Sequence, residues 1–366
     1  MLGLLGLLGA VFAGVLADSI LTSGAKDEEN EQDIEAEDEA EADLTDEPAP
    51  SLLSLVTFSG PEAAATSVEP QADTAFGPDE ETDSSDTPPD PPVDQRLTGE
   101  DGDDILTGDG GDDSVEGGAG GDLLGGRDGN DTLHGGGGDD HLHGDDGDDS
   151  LFGDDGDDVM DGEAGDDILV GGQGNDYLAG HDGNELILGE AGDDRLLGGG
   201  GQDTLDGGAG DDWLCGGEGD DSLTGGAGTD TIDGNDGDDT LWGFEDDAPD
   251  AEMDFLNGGR GDDTLHIGAN DYAFGDEGAD RFVLSDWAAG EDSFAHISDF
   301  NPAEDEILVL YDAEAYPDPQ LSLEDAGEED VTVLLNGLPL AHISGGSGLD
   351  VASLRLVPSE AFRAVA

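Results

Sequence analysis

The side chains in this sequence best suited to chemistry are carboxylates, and they are spaced at regular intervals. Residues 98–241 divide into sixteen nonapeptides without an insertion, and the seventh position is Asp in fifteen of them and Glu185 in the other. Gly fills the second and fifth positions of all sixteen, and the ninth is always Leu, Ile, Val or Met. A carboxylate every nine residues offers oxygen ligands to a hard cation. Signatures of catalysis are missing: HExxH and GK[ST] do not occur, and Gly345-Gly346-Ser347-Gly348-Leu349 fails the GxSxG pattern at its last position. His134, His141 and His143 fall at positions one and eight and read as solvated. Strings such as GDDGDDSLFGDDGDD mimic an EF-hand loop, but the flanking helices would have to carry Gly every few residues.

The elements that position these carboxylates follow from the other fixed residues. Glycines at two and five are expected to take positive φ, making the first part of each nonapeptide a tight turn. One apolar residue at nine, between outward positions eight and one, is the alternation of a very short strand. Turn, strand, turn and strand complete a coil of eighteen residues, so the array predicts eight coils rising about 38 Å at roughly 4.8 Å per strand. One inward aliphatic per nonapeptide is a thin core, and the position-seven carboxylates line up about 5 Å apart along each side. Such a column opposes folding unless cations neutralise it. Calcium suits it better than magnesium, since flexible carbonyls and carboxylates meet its six to eight ligands without a strict octahedron. Zinc and copper favour His and Cys, which are sparse here.

GGAGDDWL, GGQGNDYL and GGAGTDTI resemble the GGxGxDxUx nonapeptides of RTX (repeats-in-toxin) proteins. The resemblance implies a parallel β-roll, with each Ca2+ held between turns of alternate repeats by Asp carboxylates and Gly-turn carbonyls. Carried over residue by residue, the ligands are Asp104, Asp113, Asp122, Asp131, Asp140, Asp149, Asp158, Asp167, Asp176, Asp194, Asp203, Asp212, Asp221, Asp230 and Asp239, with Asp263 and Asp280 after the register breaks. Pairing repeat n with n+2 allows at most about 14 sites in the uninterrupted array. Family members are unfolded at low cytosolic calcium and fold outside the cell. Glu185, one methylene longer, is expected to leave a weak or empty site. The acidic third positions, Asp145, Asp154 and Glu163 among them, are expected to add surface charge.

Composition sets the outer bounds. With 96 Asp+Glu against 8 Lys+Arg and a net charge of −88, nucleic-acid binding through a basic surface and most compact α/β enzymes are excluded. One cysteine, Cys215, cannot close an intramolecular disulfide. The expected fold is all-β: a parallel β-roll (β-solenoid) over 98–282, a small C-terminal β cap over 283–366, and a disordered, acidic, Pro-rich spacer over 26–97. Residues 1–25 hold an apolar segment. Its first 17 residues read as an uncleaved membrane anchor, an atypical signal peptide or a buried strip. In the cap, Asn336-Gly337 between apolar runs predicts a hairpin. ADRFVLSD and ISDFNPAEDEILVL are similar to the segment after the roll in RTX proteins exported by type I secretion, which by resemblance places an export signal within 345–366. Ile168, Val170, Leu186 and Leu188 fall on adjacent strands at outward positions, suggesting a contact surface for a partner, a second copy, or the apolar stretch at 51–58. The expected function is that of an exported, non-enzymatic calcium-binding protein with a structural or interaction role. The alternative is a relative of RTX hydrolases or toxins with activity in an unrecognised element.

Overall fold

The structure, a computed structural model, describes residues 93–244, 252–284, 293–314, 316–327 and 330–359. The chain separates into two units, Met1–Asp83 and Ser84–Ala366. The expectations for the apolar segment at 1–25, the stretch at 51–58 and nearly all of the spacer lie outside the described residues, as does the end of the candidate export signal.

Each nonapeptide contributes one strand, which between Ser114 and Asp236 runs from position eight to position four of the next repeat, as in Ile168–Gln173, Tyr177–Asp182 and Leu186–Ala191. Successive strands alternate between two sheets, of thirteen and fourteen strands. Pairing within the array is parallel with a register of eighteen residues: Leu169 lies between Leu151 and Ile187 in the first sheet, and Leu178 between Met160 and Leu196 in the second. Position nine points inward from both sheets, and the resulting stack from Val115 to Leu265 is 0–1% exposed. Each buried aliphatic contributes about 1.5–3 kcal/mol of transfer free energy, so the core is two facing rows of modest terms, one from each sheet, along the solenoid.

The backbone differs from the sequence expectation at the glycines. Positive φ falls at positions five and three, for example 147° at Gly147 and 73° at Asp145. Position two is glycine for lack of space. A Cβ on Gly144 would run into Oδ2 of Asp149 and stand 2.7 Å from the carbonyl oxygen of Gly162 in the next coil. Position three carries Arg127, Asp154, Glu163, His181 and Glu190 at φ between 71° and 88°, a conformation that costs such residues free energy.

The parallel ladder runs on through the compositional boundary at 282/283. Ala295–Ile297 and Leu338–Ile343 extend the second sheet, and Glu306–Tyr311 and Arg355–Pro358 extend the first. Leu321–Gly327, Asp330–Leu335 and Leu338–Ile343 then form an antiparallel meander, which ends the parallel stacking of the second sheet. Its second hairpin turns at Asn336 and Gly337, both with positive φ, as Asn-Gly predicts. At the other end the first strand is Arg96–Thr98, so Arg96 and Leu97 belong to the roll although composition groups them with the spacer.

Candidate metal centre

The position-seven carboxylates are buried between the turns of successive coils. Asp104 lies half-buried in the first coil, and the other sixteen aspartates expected as ligands are 0–3% exposed. Each points back along the solenoid. Oδ1 of Asp158 accepts from the backbone N–H of Asp140 at 2.8 Å, and Oδ1 of Asp167 from that of Asp149 at 2.8 Å, a pattern that repeats from coil to coil. One carboxylate oxygen thus closes the amide of the preceding coil. The other, Oδ2, is buried and accepts no hydrogen bond at Asp122, Asp131, Asp140, Asp149, Asp158, Asp167, Asp176, Asp194, Asp203, Asp212, Asp221, Asp239 and Asp263.

That leaves a row of orphaned, charge-bearing oxygens in each column, which a folded protein does not tolerate without a partner. Each Oδ2 faces the Cα of a position-two glycine, together with the carbonyl oxygen of the glycine one coil on: Asp122 Oδ2 and the Gly135 carbonyl at Gly117, Asp158 Oδ2 and the Gly171 carbonyl at Gly153. Among the described residues no three His, Cys, Asp or Glu side chains converge on one point. A cation held here therefore takes main-chain oxygens beside its carboxylates, which suits calcium and not zinc.

Burial has the electrostatic effect expected of such a column. It pushes Asp149, Asp212, Asp221, Asp239 and Asp263 up to about 7, and Asp140, Asp158, Asp176, Asp194 and Asp280 up to about 6, with neighbouring carboxylates adding to the shift. Glu185 departs from its neighbours. Its Cγ takes the place beside Gly180 that Oδ2 takes in other repeats, its Oε1 is displaced toward Gly183, and both carboxylate oxygens lack a hydrogen-bond partner. Burial and the adjoining Asp203 raise its pKa well above the carboxylate range.

Three features escape the nonapeptide reading. Asp254 and Asp271, 0% and 1% exposed, continue one column: the N–H of Asp230 donates to Asp254 Oδ1 at 2.9 Å and that of Asp254 to Asp271 Oδ1 at 3.2 Å. Asp305 closes the other by accepting from Asp280 N–H at 3.1 Å. Position six forms a second, exposed ladder of opposite sense, in which Asp148 Oδ1 accepts from Asp166 N–H at 3.1 Å and Asp157 Oδ1 from Asn175 N–H at 2.9 Å. The signal for that ladder was present in the Asp and Asn that recur just before position seven.

The family model of the RTX calcium-binding nonapeptide repeat matches residues 94–124, 125–160, 143–178, 179–214 and 216–243. Residues 94–243 are RTX calcium-binding repeats. The RTX repeats thus contain the part of the roll, from Asp122 to Asp239, in which the unpartnered Oδ2 atoms recur. Among solved structures, the extracellular lipase LipA from Serratia marcescens is similar at 17% identity, with a TM-score of 0.16. The likeness covers 57% of this chain and 39% of the lipase's own length. No curated protein matches the sequence.

Proposed function

We propose that this chain is an exported, non-enzymatic protein whose RTX roll completes its fold on calcium outside the cytoplasm and then serves as a structural or interaction component. The reading is carried by one observation: buried Oδ2 atoms without a donor repeat up both columns of a chain of net charge −88. Asp122, Asp131, Asp140 and their successors at position seven would hold the ions with the facing glycine carbonyls, and bound calcium supplies the positive charge the columns lack. The protein's own groups do the rest. Oδ1 fixes each carboxylate to the amide one coil back, which sets where Oδ2 stands as the coils stack. The position-two glycine leaves the space beside it open. Where calcium is scarce the columns repel and the thin core cannot hold the coils together; at the millimolar calcium of extracellular fluids the same columns become the binding surface. Residues 345–366 carry the export signal, by resemblance to RTX proteins of type I secretion.

The test is a titration of the full chain with Ca2+, and with Mg2+ as control, followed by far-UV circular dichroism and sedimentation velocity. The expected result is a cooperative, calcium-selective gain of β structure with compaction. No change up to about 10 mM calcium, beyond the weak limit of extracellular sites, overturns the reading.

A further inference from the structure

The distribution of charge on the roll leaves one face without an occupant. Carboxylates crowd the turns, yet from Ser114 to Thr264 the nine outward residues at position eight of the first sheet are only Ser, Thr, Ile168 and Leu186. In the parallel column at position one, from Glu116 to His266, only Glu116 and Asp206 are acidic. At the centre of this face Ile168 and Leu186 are 38% and 36% exposed, and half-buried Val170 and Leu188 lie beside them in register. Phe152 adjoins Val170 one strand earlier.

On the first sheet His134 stacks on Phe152 at 4.5 Å and Trp242 on His266 at 4.7 Å, on either side of the aliphatic centre, which itself has no such partner among the described residues; on the second sheet the outward side chains engage one another at its centre. Arg195 lies over Trp213 and Tyr177, 4.1 Å and 5.7 Å from their ring centroids. Tyr272 stacks on Phe255 and on His296, at 5.5 Å and 4.6 Å. Asp161 lies between His143 and His181 at 3.2 Å and 3.5 Å.

We infer that the first-sheet face is a docking surface for a second copy of this chain, packed face to face. The eight strands that pair under the axis described below, at roughly 4.8 Å each and about 13 Å along the strand, give about 500 Å² of flat surface per copy, or about 1,000 Å² for the pair, which reaches the roughly 1,000 Å² of a specific interface. The composition fits as well: an apolar centre, a position-eight column of uncharged Ser and Thr on either side of it, and in the position-one column a single carboxylate next to that centre, Asp206 beside Leu188. A two-fold axis lying in the face along the strands, between Ile168–Gln173 and Leu186–Ala191, sets Ile168 against Leu186 and Val170 against Leu188 of the second copy. Under the same axis Glu116 meets Trp242 and Asp206 meets Phe152, so no carboxylate of these two columns opposes another. A foreign partner would find the same face, but self-complementarity under a simple axis favours a copy of the chain.

The inference rests on the calcium-completed roll proposed above, and the experiment separates the two. The full chain is examined in saturating calcium by sedimentation velocity, with circular dichroism on the same samples. The wild type is expected to dimerise reversibly. The double substitution Ile168→Ser, Leu186→Thr should weaken association at least about tenfold with an unchanged spectrum. Ser150 and Thr204 already occupy the same position on the flanking strands, so the roll accommodates these residues; Leu188→Thr is a second, independent reading of the face. Leu197→Ser, on the opposite sheet, should leave association intact. A folded wild type that stays monomeric up to about 100 μM overturns the inference, as do face variants that associate as tightly as wild type or an effect equal to that of Leu197→Ser. A chain without β structure in calcium overturns the metal reading and the docking face with it.

Discussion

Removing the metal should turn the roll into a pH-dependent fold, and the sign is opposite to that of an ordinary acidic protein. Among the position-seven carboxyls, burial raises the pKa to about 7 in Asp149, Asp212 and Asp221 and to about 6 in Asp140 and Asp158. In the unfolded chain they return to about 3.8. The folded state then binds more protons than the unfolded one, so the contribution to stability is fully present below the unfolded pKa and is lost as pH rises through the folded value. Moving one carboxyl from 3.8 to about 7 corresponds to roughly 4 kcal/mol. A few such groups suffice to change the sign of a net stability on the order of 5–15 kcal/mol. The structure supplies the local reason: a proton on Oδ2 of Asp158 can be donated toward the Gly171 carbonyl that faces the same glycine, so it can take up part of the role assigned to the cation. In chelator, far-UV circular dichroism of the full chain should show β structure appearing between pH 7.5 and about 5. Calcium should shift that transition toward higher pH, because proton and ion compete for Oδ2. Metal-free protein that shows no gain of β structure on acidification, while folding in calcium at pH 7.5, would refute the assignment of the columns as the element that opposes folding.

Three further predictions test individual positions. Glu185→Asp restores the carboxylate geometry of its neighbours and should raise calcium stoichiometry by calorimetry, together with the melting temperature in calcium. Gly144→Ala drives a methyl into Asp149 Oδ2 and the Gly162 carbonyl and should cost about 2–3 kcal/mol in calcium-loaded protein, whereas Gly137→Ala, with nothing within 4 Å, should be close to neutral by denaturant titration. Leu169→Ala removes one member of the buried stack between Leu151 and Ile187 and should cost about 2–5 kcal/mol by the same method.

The period alone made the architecture legible, because Gly, Asp and an aliphatic at fixed offsets leave few ways to alternate turn and strand. It located both carboxylate columns through Asp239. It lost Asp254 and Asp271 because the interval lengthens to 24 residues after Phe244 and then shortens to 17, and because Glu252 and Ala269 stand two residues before them where Gly261 and Gly278 still mark Asp263 and Asp280. It assigned the second glycine to backbone conformation where the cause is crowding, since a missing Cβ looks the same in a sequence whether φ or a neighbour requires it. The split of each carboxylate into an oxygen that closes an amide and one left unpartnered was illegible, because it depends on the coil eighteen residues away.

The alternation of strands between two sheets restricts how such an array can change length. Loss or gain of eighteen residues removes or adds a whole coil and leaves every downstream side chain on its own face. Loss of a single nonapeptide keeps the motif intact yet moves everything after it to the opposite sheet; a deletion just before Ile168 would carry the Ile168–Leu188 quartet off its face and break it from the Ser and Thr column that borders it. Lineages of this protein should therefore differ by even numbers of repeats, and an odd change should be found only where a compensating one follows it.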